Sequence, residues 1–259
     1  MKLEVLVSTM NKKDISFLNK MNITKNCLII NQTKKNYEEN FDNDIRMISV
    51  NEVGLSKSRN KAIENSKAEI CVLADDDLVY VDNFDEIIEN SFNENQDIDI
   101  LCFCVEGINK KFKNYHKLEK RLNFITSMKV SSVEIAFKRK SIINNNIRFD
   151  EKFGSGSKEY KMGEENIFLA QCLKKGLKIK FIPIKIANLY IGESTWFNGY
   201  NEKYFFDRGA VFSALNKNID VFLILQFAIR KYGIYKEEIS FLKAMKQMIK
   251  GRNHYRKEG

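Results

Sequence analysis

The sequence predicts an α/β fold: a mixed, mainly parallel sheet flanked by helices and continued by a C-terminal helical extension. Three observations carry this reading. Apolar runs of strand length recur along the chain, stretches with helical spacing lie between them, and polar clusters follow the ends of several runs. With 259 residues, 44% of them hydrophobic, the chain can bury a full core as one large domain or a domain with a small appendage.

Leu3 to Ser8 reads as the first strand, and Asp14 to Met21 as a helix after an Asn-rich connection. Cys27 to Ile30 and Arg46 to Val50 are the next two strands. Leu55, Ser58, Ala62 and Ile63 give a helix from about Ser56 to Ser66, entered through the flexible Gly54. Ile70 to Leu73 is the fourth strand, and Asp75-Asp76-Asp77 follows it. Strand-like runs at Ile98 to Val105 and Val133 to Phe137 flank a basic segment from Asn109 to Arg121. A Gly and Ser loop around Gly154 to Ser157 precedes Gly163-Glu164-Glu165-Asn166. The next helix ends in Lys174-Lys175-Gly176, where basic charge and a C-cap glycine suit a helix end. Leu177 to Ile184 is a further strand and holds the only proline, Pro183. From Lys217 the chain reads as wholly helical. Val221, Leu223, Ile224, Phe227 and Ala228 form one stripe, and Ile239, Leu242, Met245, Met248 and Ile249 another. The expected division is a catalytic domain over 1–215 and a basic amphipathic tail over 216–259.

Ser8-Thr9, Asn31-Gln32 and Asp75 to Asp77 all fall at the carboxyl ends of predicted strands. Sheets of this class bind ligands there, so the three groups should meet in one crevice. Three adjacent carboxylates repel one another, and a strand end that gathers them calls for a cation, first of all a divalent metal.

Five cysteines, an odd number without a CxxC pair and mostly within apolar runs, argue for reduced buried thiols and against a disulfide framework or zinc site. The N-terminus shows no signal-peptide pattern, so the expected location is cytoplasmic. The most apolar stretch, Val221 to Ile229, is far short of the ~20 residues that span a bilayer. From Lys217 onward ten basic side chains face four acids, so about two thirds of the net charge of +9 lies in the last 43 residues. Such a tail suits nucleic acid, anionic lipid or a phosphorylated substrate, or else a solvated helix face.

The order Ser8-Thr9-Met10-Asn11, Gly54-Leu55-Ser56-Lys57-Ser58-Arg59-Asn60, Val72-Leu73-Ala74-Asp75-Asp76-Asp77 and Gly163-Glu164-Glu165-Asn166 resembles glycosyltransferase family 2 over about residues 1 to 190. The resemblance implies a GT-A, Rossmann-like fold, a nucleotide-sugar donor, a divalent metal (Mn²⁺ or Mg²⁺) and inversion at the anomeric carbon. It implies that Asp75 and Asp77 are the outer pair of a DxD element, with Asp77 and Asp75 as metal ligands and Asp75 and Asp76 beside the donor. Which of the three carboxylates ligates directly stays open.

By the same resemblance Thr9 contacts the nucleotide and Arg59 helps hold it; a guanidinium can stack on a base or fork onto phosphate. Asn31 stands where the family has an aspartate that reads the base, and its amide can still pair with a uracil edge, so a UDP-sugar is favoured. Glu165 takes the position of the family's general base, one methylene longer than the aspartate, with Glu164 beside it. Two acids at a helix start also favour the helix dipole. Trp196 either lines the acceptor site, stacking on a sugar ring, or packs in the core. His116 and His254 lie away from the place where relatives carry an extra metal ligand, so no histidine ligand is expected.

The resemblance and the basic, apolar tail together imply a glycan or lipid-linked acceptor in bacterial surface polysaccharide assembly, with the enzyme on the inner membrane face and the tail on anionic lipid. The tail helices packing on the catalytic domain is the other reading. Asp75-Asp76-Asp77-Leu78-Val79 also fits a DxDx[TV] phosphohydrolase nucleophile, although that motif normally follows a first strand. A non-catalytic membrane or nucleic-acid binding protein is a further alternative; no nucleic-acid motif accompanies the basic charge, so no nucleic-acid partner is expected.

Overall fold

The structure, a computed structural model, describes residues 1–192 and 197–258. Its centre is a parallel set of four strands: β1 (Leu3–Met10), β2 (Cys27–Gln32), β4 (Ile45–Val50) and β5 (Ile70–Asp75). β3 (Tyr37–Phe41) adds antiparallel to β4 at one edge. Beyond β5 the sheet turns mixed: β9 (Ile135–Lys138) is antiparallel to both β5 and β7 (Ile100–Gly107), and β10 (Ile179–Leu189) is parallel to β7. β6 (Leu78–Tyr80) and β8 (Lys120–Leu122) pair antiparallel with β10. The order β3-β4-β2-β1-β5-β9-β7-β10-β6 makes one sheet of ten strands, with β8 off the path, among the described residues.

Alternation explains why these runs are strands. Leu3, Val5 and Val7 point into one core with Ile29, Ile70 and Val72, while Leu6 points into the other with Leu28, Ile30, Cys71 and Leu73. Helix α3 (Phe84–Glu94) closes the first face through Ile88 and Phe92. Helices α2 (Leu55–Asn65), α5 (Arg139–Asn144) and α6 (Glu164–Lys174) close the second through Ala62, Ile63, Ile142, Phe168 and Leu169. Pro183 sits where the β7–β10 register breaks between Phe181 and Lys185, a place where its missing N–H removes no ladder bond.

The expected helix over Asp14 to Met21 is reduced to the single turn α1 (Phe17–Lys20); its stretch carries Leu18 and Met21 into the core but too little apolar periodicity for more. A second turn, α4 (Phe124–Ser127), opens with an Asn123 capping box.

The C-terminal region is three helices: α7 (Glu202–Leu215), α8 (Asp220–Tyr235) and α9 (Phe241–Glu258), with a break at 236–240 where continuous helix was expected. They share a third core, around Phe205, Val211, Ile224, Tyr235 and Met248, which also takes Ile167 and Ala170 from the back of α6. α7 and α9 touch backbone to backbone: a Cβ on Gly209 would lie 1.9 Å from the Met248 carbonyl oxygen, and one on Gly251 1.8 Å from that of Phe206. Asp220, 1% exposed, receives Arg252 and Arg256 from α9.

The tail stripes sit differently from the expectation. Leu223, Ile224 and Ala228 are buried and Phe227 half-buried, but Val221 faces outward with Phe222, Leu225, Ile229 and Tyr232. In the second stripe Ile239 and Met248 are buried while Leu242 is 78% exposed. α8 is therefore apolar on two sides, one packed and one open. No helix among the described residues is long and apolar enough to cross a membrane.

Candidate active site

The parallel strands set the position of the site. Register places Thr9 opposite Asn31 and Ser8 opposite Asp75, so the carboxyl ends of β2, β1 and β5 open on one edge of the sheet. The chain moves outward from β1 to β2 and β4 on one side and to β5 on the other. The crevice lies at this reversal, where sheets of this class bind ligands.

The three aspartates have three different surroundings. Asp75 accepts from Arg59 Nη2 at 3.2 Å. Asp76 accepts from the Thr9 hydroxyl at 2.5 Å and pairs with Lys12 Nζ at 2.9 Å. Asp77 has no cation at ion-pair distance among the described residues. Although its side chain reaches solvent, enclosure by the surrounding protein and then the charges of Asp75 and Asp76 push its carboxyl up to about 6. Among the described residues no group of three or more His, Cys, Asp or Glu is placed to hold a metal alone. The donor set fits a hard divalent ion that takes one or two carboxylates and draws its remaining ligands from substrate phosphate and water.

Arg59 was expected against the nucleotide, but it is 2% exposed. Its Nη1 donates to Glu164 Oε1 at 3.1 Å, and its Nη2 also donates to Ser132 Oγ at 2.7 Å. The guanidinium lies 5.5 Å from the Phe149 ring centre, and its Nε is buried without a partner. Burial works against its charge, yet Asp75, Glu164 and Glu165 outweigh it and hold its proton more tightly. It is a pin between the end of β5 and the start of α6. Glu164, 7% exposed, is correspondingly committed to the pin and is no free acid.

Asn31 also differs from its expected task. It is fully buried, its Oδ1 accepts from the Lys12 N–H at 3.0 Å, and its Nδ2 donates to the Lys12 carbonyl at 2.8 Å and Ser49 Oγ at 3.2 Å. Its amide holds the turn that carries Lys12. Trp196 lies outside the described residues.

Glu165 sits one residue into α6, partly exposed, with no ion pair among the described residues. Burial first, then the Glu164 carboxylate, raise its carboxyl to about 8, against the weaker downward pull of Arg59 and Arg208. A carboxyl poised this far up accepts a proton near neutral pH, which a general base requires.

The bonding roles of several residues in the quoted motifs escape sequence reasoning. Gln32 closes the Gly54 turn, accepting from its N–H at 3.2 Å and donating to its carbonyl at 3.0 Å. Gly54 has φ +131, and Gly156 (φ +77) packs against it so closely that a Cβ on Gly156 would lie 3.1 Å from the Gly54 Cα. Ser56 donates to the Phe153 carbonyl at 2.6 Å, and Asn60 holds both backbone groups of Phe149. The available signal was polar side chains at the i and i+4 positions Ser56 and Asn60 of an otherwise amphipathic helix. Their burial shows that the polar face of α2 is stitched to the loop before α6.

A mixed, mainly parallel sheet flanked by helices, continued by C-terminal helices, is the architecture of the GT-A, Rossmann-like fold class. Crystal structures of S. aureus TarS share this fold. The 1–349 fragment in complex with UDP-GlcNAc superposes with TM-score 0.68 at 14% identity, over 98% of this chain and 80% of that one. The 1–349 fragment in complex with UDP gives 0.64 at 13% identity, over 100% and 92%. For the longer TarS crystal structure the values are 0.62 and 14%, with 90% of this chain covered; the chain spans 44% of its length. No curated protein matches the chain by sequence. Residues 29–157, about half of the chain, match the model of glycosyl transferase family 2, and the chain belongs to that family.

Proposed function

We propose that the chain transfers a sugar from a UDP-sugar to an acceptor hydroxyl with inversion at the anomeric carbon, Glu165 serving as general base and Asp77 as the carboxylate that receives a divalent metal. The observation that carries this reading is the partition of the crevice acids. Arg59 neutralises Asp75 and Glu164, Lys12 and Thr9 engage Asp76, and Asp77 and Glu165 are left without an ion-pair partner among the described residues. Each unpaired acid lies beside a paired neighbour.

In the transfer Glu165 takes the proton of the acceptor hydroxyl as that oxygen bonds to the anomeric carbon. The bond from that carbon to the diphosphate oxygen breaks, and its electron pair leaves with UDP. A bound Mn²⁺ or Mg²⁺ supplies charge neutralisation for that leaving diphosphate. The TarS structures with UDP and UDP-GlcNAc support a uridine donor. A glycan or lipid-linked acceptor of bacterial surface polysaccharide, used at the inner membrane face, suits the open apolar side of α8, where exposed Arg230, Lys231 and Lys236 add positive charge.

A thermal-shift screen of nucleotide sugars with and without Mn²⁺ tests the reading. Stabilisation by a UDP-sugar that depends on metal is expected. Indifference to every nucleotide sugar, with metal present, would remove it.

A further inference from the structure

α7 runs directly across the start of α6. Gly163, which precedes Glu164 and Glu165, faces Val211 so closely that a Cβ there would lie 2.7 Å from a Val211 methyl. Arg208 stands one turn before Val211 on the same helix, and its charge reaches Glu165. Its guanidinium rests 5.3 Å from the ring centres of both Tyr204 and Phe227, and one Nη donates to the Tyr204 hydroxyl at 3.0 Å.

Its charge is otherwise unanswered. Arg208 makes no ion pair among the described residues, and its Nε is buried with no hydrogen-bond partner. A guanidinium carries five donors in a rigid fork, and one acceptor leaves most of them unused. A half-buried guanidinium held by two rings and one hydroxyl, with no carboxylate at ion-pair distance among the described residues, keeps donors free for an anion. The strand-end crevice, with Asp75 to Asp77, is the place for the donor diphosphate. Arg208 is on α7, which packs against the start of α6 and against the helices α8 and α9.

We propose that Arg208 is the anchor of a second, acceptor subsite: it receives an oxyanion, phosphate or carboxylate, borne by the acceptor, and so brings the neighbouring hydroxyl to Glu165. The inference rests on the glycosyl-transfer reading. Tyr204, and with it Tyr200 and Phe197 in edge contact, supplies the apolar wall along which a sugar carrying that anion would lie.

Inorganic phosphate and acetate are the probes, titrated into protein saturated with UDP and Mg²⁺ so that the donor site is filled, with the thermal shift as readout. Phosphate, acetate or both should stabilise the UDP-loaded wild type; which does so distinguishes a phosphate from a carboxylate acceptor. The effective affinity for that anion should fall about tenfold or more in Arg208→Gln, while the shift given by UDP stays as in wild type. Arg208→Lys, which keeps the charge without the fork, should fall between them and covers the case in which the glutamine variant folds poorly. An unchanged anion response in both variants, no anion response in wild type, or displacement of the anion by UDP overturns the acceptor assignment. Loss of the UDP shift from wild type itself would instead strike at the transferase reading.

Discussion

Arg59 and Glu164 meet at 3.1 Å in a space that leaves the arginine 2% exposed, and the same guanidinium reaches Asp75 at 3.2 Å. One buried cation thus fixes the end of β5, just before the turn that holds the unpaired Asp77, against the start of α6, which holds the unpaired Glu165. Removing it strands at least the buried Glu164 carboxylate. Arg59→Met should lower unfolding free energy by about 3–5 kcal/mol, and Arg59→Lys, unable to fork between two acids, should recover only part; urea unfolding measures both.

Glu165 gives a pH dependence in activity and an opposite one in stability. A base must be deprotonated, so kcat/KM should rise with pH through the raised value near 8 rather than level off above the ordinary carboxylate range. Stability runs the other way. The native state binds more protons than the unfolded chain between the ordinary glutamate value and about 8, so stability is fullest below that window and is lost as pH rises through it. Glu165→Gln should therefore melt above wild type at pH 8 and near it at pH 4.5, a comparison made by calorimetry.

Asp77 and Asp76 should separate in their dependence on metal. Asp77→Asn should abolish the part of the UDP thermal shift that requires Mn²⁺. Asp76→Asn, which instead loosens Thr9 and Lys12, should weaken UDP binding with and without metal alike.

The open side of α8 is expected to touch lipid. Phe222 and Ile229 are 62% and 59% exposed, so Phe222→Glu with Ile229→Glu should fold normally. Wild type should sediment with phosphatidylserine vesicles in a salt-sensitive way, gaining about 1 kcal/mol per nearby Lys or Arg, and the double variant should stay in solution.

α9 should not detach from the catalytic domain. Gly251→Ala drives a methyl into the Phe206 carbonyl and should cost about 1–3 kcal/mol, with the loss seen as a lowered midpoint of a single unfolding transition.

The sequence made the parallel half of the sheet legible because Leu3, Val5, Leu6, Val7 and their counterparts in β2 and β5 alternate between two cores under simple periodicity. β3, β6 and β8 were illegible: Tyr37 to Phe41 is largely polar edge strand, and three-residue pairings such as Leu78–Tyr80 and Lys120–Leu122 are set by the partner β10. The convergence of Thr9, Asn31 and Asp75 followed from strand ends alone. What could not be read was the burial of polar side chains. Arg59 and Asn31 have the chemistry of ligand-binding groups, and only the positions of Glu164, Ser132 and the Lys12 backbone reveal that they serve the chain itself. Arg208 lies on a helix whose polar and apolar residues follow no clear stripe, and it gains meaning only from the crossing with α6.

The split between two adjacent glutamates is tested most directly by UDP release from the donor that stabilises the protein. Glu165→Gln should lower that rate about 10²-fold or more while the UDP thermal shift persists. Undiminished release from folded Glu165→Gln would contradict the assignment of the base.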